Sequence, residues 1–275
     1  MSESELLRLL SRDSRPGITL LREGRWVYVE NRLRTERLST YLETAQALQA
    51  LLLSSGSSEA FALCLPYVAK FNEAWTLARQ KQLGLAPIRQ VEVVQFNSFS
   101  ESYGWLSNFF QTLIVDAKHM RVFLQVESGY VAFKISRFLE APLCDEEAED
   151  RERLLVRVVS EPDPRTAKAL GSHIRRDTDD IYLERETIAE MRRLVRLKID
   201  QNPVLAKWLV SSGDVPLEEH TNDMCWGTAM GTMKTPTSNR LGKILMKYRS
   251  VLQKPDSRSS DQISLSQEAP PPEAD

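Results

Sequence analysis

An α+β fold dominated by helices, with a small β component, is what this sequence predicts. Apolar residues recur at helical spacing in several separate segments, the clearest at 180–199 and 240–251. Runs rich in β-formers are few and short, at 18–30, 90–96 and 113–126. Breakers separate the segments: Pro16-Gly17, the Ser54–Ser58 stretch around Gly56, Gly84, Gly171 and Gly213.

Residues 3–11 predict a short amphipathic helix through Leu6, Leu7, Leu9 and Leu10. Ile18–Arg22 and Arg25–Glu30 flank Glu23-Gly24 and read as a β-hairpin. Helices follow at about 36–53 and 59–83, the second interrupted early by Pro66 and stopped by Gly84. Residues 1–90 hold no constellation with evident chemistry and form an N-terminal hairpin-plus-helices extension for packing or partner binding. A second unit spans 91–253. In it, Val91, Val93 and Val94 mark a β-rich run, and Leu113–Val115 with Arg121–Val126 suggest another hairpin. Glu127 opens a helix reaching about Phe138, and an acidic start at Asp145 opens one ending near Val159. Asp163–Leu170 is a small helix closed by Gly171. The longest helix is expected from about Asp180 to Ile199, with Ile188, Met191, Val195 and Ile199 inward and the basic residues Arg192, Arg193, Arg196 and Lys198 on a solvated face. Pro203–Val210 is a short helix, and Val215–Glu219 a strand. Residues 254–275 are Ser-, Pro- and acid-rich and are expected to be disordered.

The 275 residues suit one large domain or two modest ones, and 42% hydrophobic residues suffice for a core. Lys+Arg 36 against Asp+Glu 38 leaves a net charge of -2, so no global field favours nucleic acid. Cys64, Cys144 and Cys225 are scattered, as are His119, His173 and His220; neither set has metal-ligand spacing. No metal or cofactor is expected. No apolar run approaches the roughly 20 residues that span a bilayer, and the start lacks signal-peptide character. A cytoplasmic location is the expectation; oligomeric state is open.

Chemistry concentrates in Glu219–Arg249. An aperiodic loop carrying Trp226-Gly227 leads to an amphipathic helix through Ile244, Leu245, Tyr248 and Val251. Ser238-Asn239 stands where a short polar side chain can cap that helix, and its start, with Asn239 and Arg240, suits a phosphate. The preceding strand would deliver Glu219 and His220 to the site.

Glu219-His220, Asp223, Trp226-Gly227 and the run Asn239-Arg240-Leu241-Gly242 together resemble the C-terminal signature of the YbiA-like, or NADAR, family. Tyr103-Gly104 with Leu106-Ser107-Asn108-Phe109 is similar to its N-terminal signature, and Glu127 with Lys134 to its central one. The likeness covers roughly 92–252. It implies an N-glycosidase hydrolysing an N-ribosyl or N-ADP-ribosyl bond in a nucleotide-like substrate, either a riboflavin-pathway intermediate or ADP-ribosylated guanine in nucleic acid. By that resemblance Glu127 is the base or oxocarbenium stabiliser and Asp223 orients water or ribose. Substrate contacts fall to Gly104, Trp105, Ser107, Asn108, Lys134, Tyr182, Trp226, Gly227, Asn239 and Arg240. Trp105 and Trp226 are either stacking platforms or core aromatics. Where the family carries His, Tyr or Gln after the central glutamate, this chain has Ser128-Gly129-Tyr130-Val131. Tyr182 stands about where the family has a tryptophan. A module that binds ADP-ribose or a nucleotide without turnover is the alternative.

Overall fold

A computed structural model of the chain describes residues 48, 58–89, 91–98, 100, 102–139, 144–172, 174, 181–221, 223, 226–228 and 238–254. The helices expected at 3–11 and 36–53 (apart from Leu48), the hairpin at 18–30 and the tail from 255 lie outside these residues.

Helix α1 (Ser58–Leu83) buries Phe61, Cys64, Val68, Phe71 and Trp75, one residue every three or four, as a helix with one apolar face must. Pro66 does not interrupt it. Pro66 and Ala62, whose carbonyl loses its helical donor, are both exposed, so that carbonyl is not buried without a partner. Because the helix runs on, α1 and not the helix near 181–200 is the longest described. Asn72 ties it inward: its Nδ2 donates to the carbonyls of Leu113 (2.7 Å) and Gln201 (2.8 Å), and its Oδ1 accepts from Leu113 N–H.

The β component consists, among the described residues, of two two-stranded sheets. β1 (Val94–Phe96) pairs in parallel with β4 (Leu217–Glu219), placing Phe96 opposite Glu219. β2 (Ile114–Asp116) and β3 (Arg121–Phe123) form the expected hairpin, with Met120 at positive φ in the turn. A 3₁₀ turn at Gly104–Leu106 follows β1.

Helices α2 (Val126–Phe138), α3 (Asp145–Ser160), α4 (Pro164–Leu170), α5 (Ile181–Asp200), α6 (Pro203–Ser211) and α7 (Arg240–Leu252) complete the described elements. α2 packs against α3, α4 and α5. Its Gly129 permits this closeness: a Cβ there would sit 2.8 Å from a methyl of Leu194. The core gathers Trp105, Leu106, Ile114, Val126, Ile135, Leu194, Leu209 and Leu245. Asp163 caps α4 and Asn202 caps α6, each accepting a backbone N–H ahead of a proline in the first turn. The face of α5 read as solvated is divided. Arg196 is exposed, but Lys198 is 1% exposed, and Arg193 is held by Asp116 and Glu190. No described helix is long and apolar enough to cross a membrane.

Candidate active site

The start of α2, the end of β4 and the loop beyond it converge on one cavity of about 530 Å³. Glu127 lies in the first turn of α2, where its N–H donates to the Asn108 carbonyl at 3.3 Å. Glu219 ends β4. Its N–H donates to Asn239 Oδ1, and its carbonyl accepts from Thr228 N–H at 2.7 Å. Asp223 closes a turn, its Oδ1 accepting from Trp226 N–H at 3.2 Å, and its Oδ2 lies 3.7 Å from Lys168 Nζ. Trp226 meets Tyr130 edge-on, ring centroids 5.7 Å apart, and both rings line the cavity.

Three carboxylates and two amines thus share the cavity. Burial pushes Glu127 up to about 7, against the pull of Lys168 and Lys134 and with a further push from Asp223. Burial likewise raises Glu219 to about 7, helped by the charges of Asp223 and Glu127 and opposed by Lys168 and Lys198. Burial thus disfavours the charged forms of both Glu127 and Glu219, and a proton is held between them near neutral pH. Lys134 Nζ also donates to the Gly171 carbonyl at 2.8 Å, which fixes it against α4. Asn108 Oδ1 and Glu219 Oε2 are buried without a hydrogen-bonding partner among the described residues. Both are polar atoms left for something that enters.

Among the described residues, Asp116, His119 and Glu190 are the one grouping close enough to share a cation. The guanidinium of Arg193 already bonds both carboxylates, at 2.6 to 2.9 Å, and none of the three lines the cavity.

Residues 95–253 match the NADAR domain family, more than half of the chain. The chain belongs to the NADAR family. No curated protein matches it. Among solved structures it is similar to the NMR structure of the E. coli protein YbiA, at 22% identity and a TM-score of 0.46, covering 66% of this chain and 94% of that one.

Within the NADAR domain the expected site residues divide. Glu127, Asp223, Ser107, Asn108, Lys134 and Trp226 line this one cavity together. Trp105 does not: it is wholly buried, its Nε1 donates to the Ala86 carbonyl, and it packs edge-on against Trp208. Its role as a stacking platform is corrected to that of a core aromatic. Gly104 borders a neighbouring cavity of about 310 Å³ that shares Ser98 and Phe109 with the first. Arg240 pairs with Glu184 and lies outside the cavity lining. The Asn239 side chain does not cap α7. The residue is left-handed, at φ 41°, and its amide bridges β4 instead, accepting from Glu219 N–H and donating to the Leu217 carbonyl at 2.9 Å. The expected phosphate site at the helix start is also reduced, because Leu241 N–H donates to the Trp226 carbonyl. Gly227 is a packing glycine; a Cβ would meet Glu219 O at 2.5 Å. Tyr182 lies in α5, and its side chain is outside the described residues.

The sequence gives no sign of Lys168 as a site residue, and it places Lys198 on a solvated face, whereas the structure buries it. Lys168 sits on α4 at the cavity, near Asp223 and 5.9 Å from the Phe109 ring centre. Lys198 donates to the carbonyls of Trp105 (2.6 Å) and Ser107 (2.7 Å), pinning the N-terminal signature. No local signal distinguishes it from the arginines beside it; only its partners do.

Proposed function

We propose that this NADAR protein hydrolyses an N-glycosidic bond in a nucleotide-like substrate, releasing a base from ribose or ADP-ribose. The observation that carries this reading is the meeting of Glu127 and Asp223 with Trp226 in one cavity flanked by Lys134 and Lys168. Breaking a C–N bond to ribose builds positive charge at the sugar, which a desolvated carboxylate stabilises far better than water does. Glu127 supplies that carboxylate and accepts a proton from the attacking water. Asp223, held by the Trp226 N–H and facing Lys168, orients ribose or water. Asn108 Oδ1 accepts from a sugar hydroxyl, and the rings of Trp226 and Tyr130 bound the base. The lysines suit the phosphates of such a substrate. Candidate substrates are a riboflavin-pathway ribosylaminopyrimidine phosphate and ADP-ribosylated guanine, free or in nucleic acid, met in the cytoplasm.

The test is incubation with NAD, ADP-ribosylated guanine and ribosylaminopyrimidine phosphates while released base is followed. Turnover of one of these, lost at least ~100-fold in Glu127→Gln with binding retained, supports the reading. Tight binding by the native chain with no base released would instead favour a module that recognises the nucleotide without cleaving it.

A further inference from the structure

We propose that Glu219 is the catalytic acid that protonates the departing base, a role resting on the glycosidase reading above. Geometry carries the assignment. The Glu219 backbone is fixed from three sides: by its pairing with β1, by Asn239 Oδ1 on its N–H, and by Thr228 on its carbonyl. Gly227 lets the Trp226 loop close over this strand end, since any side chain there would strike the Glu219 carbonyl and the Thr221 methyl. A backbone held this tightly carries a side chain that is 8% exposed, lines the cavity, and leaves Oε2 with no partner among the described residues.

Buried structural carboxylates in this fold look different. Asp116, 1% exposed, is gripped by both terminal nitrogens of Arg193, and Glu190, 8% exposed, is bonded by the same guanidinium. An unpartnered carboxylate charge is costly to bury, so Glu219 is suited to keep its proton and offer it to a ligand. Asp223, by contrast, accepts the Trp226 N–H and faces Lys168. Several charged groups surround Glu219: Glu127 and Lys134 from α2, Lys168 from α4, Lys198 from α5, and His220 and Asp223 from the segment after β4. Burial is the main push on Glu219, the charges of Asp223 and Glu127 add to it, and Lys168 and Lys198 oppose it, so the proton is held near neutral pH.

The step balances. As the C–N bond breaks, its electron pair goes to the base nitrogen, which takes the proton from Glu219. Water adds to the sugar carbon and gives a proton to Glu127. The products are the neutral base and the free sugar, and the proton returns from Glu127 to Glu219 through the cavity. The ionic requirements are opposite: Glu219 works protonated and Glu127 ionised. Activity therefore rises with pH as Glu127 ionises and falls again as Glu219 does.

The experiment measures rate against pH, from about 5 to 9, with a ribosylaminopyrimidine phosphate and with ADP-ribosylated guanine. Glu219→Gln should lower kcat by ~100-fold or more, leave KM within about twofold, and abolish the alkaline limb of its residual rate. Glu219→Asp, which keeps the acid, should retain that limb. A native profile with no alkaline limb overturns the role even if the Gln variant fails to fold. So does a Gln variant with native kcat, or with the limb preserved. Absence of base release by the native protein from every compound overturns the glycosidase reading itself, a result distinguishable from all of these.

Discussion

Lys198 shows how far a residue's setting can depart from its neighbours' in the chain. It follows Arg192, Arg193 and Arg196 in a run that reads as a charged helix face, yet its amine is buried beneath the Phe110 ring and donates to two carbonyls of the N-terminal signature. Burial lowers its pKa to about 7, the charge of Glu219 acting in the opposite direction. Lys198→Met keeps most of the stem's packing and removes the donor, leaving the Trp105 and Ser107 carbonyls unsatisfied. Each such group costs about 1–3 kcal/mol, so denaturant unfolding should show a loss of ~2–4 kcal/mol. A change under ~0.5 kcal/mol would mean that water satisfies those carbonyls instead.

At the scale of elements, the C-terminal signature is chiefly a packing device with the site at its edge. Gly242 brings α7 against β4: a Cβ there would lie 2.1 Å from the Leu217 carbonyl oxygen and 2.5 Å from Asn239 Oδ1. The Leu217 oxygen is backbone and cannot rotate away. Gly242→Ala must therefore push the helix off the strand and break the Asn239 bridge that holds Glu219. The expected outcome is a loss of ~2–4 kcal/mol, with turnover falling further than stability alone explains. Gly84→Ala gives the contrast. No atom lies within 4 Å of its added Cβ, and the penalty is confined to the left-handed backbone at φ +66, about 1 kcal/mol.

For the whole molecule, the cluster links stability to pH. Glu127 and Glu219 bind their protons more tightly folded, near 7, than unfolded, near 4.5. The stability they contribute is full below the unfolded value and disappears as pH rises through about 7. Lys198 acts in the next window, adding stability as pH rises from about 7 toward 10.5, where the folded form has already shed its proton. These groups predict a minimum in Tm around neutral pH. Glu127→Gln should raise stability at pH 8 by ~1–3 kcal/mol and change it little at pH 5, because glutamine carries no charge to desolvate. Melting curves at pH 5, 7 and 9 check the minimum; a monotonic rise through this range would contradict it.

The helices of the family domain, the β2–β3 hairpin and the β4 strand follow from local pattern, because each needs only residues three or four apart, or two apart, to face one way. Resemblance to the family's end signatures marked Asn108, Asp223 and Trp226 as candidates, and resemblance to its central one marked Glu127. What remained open was the part each side chain plays. Trp105 and Trp226 are equally plausible stacking rings in sequence; packing puts the first against Trp208 in the core and the second beside the cavity. Pro66 signals a break, but a missing bond on a wet helix face costs too little to end a helix anchored by Asn72. Glu219, Lys168 and Lys198 come from three different elements. Their shared electrostatics depend on distances through space, and therefore only the tertiary structure decides them.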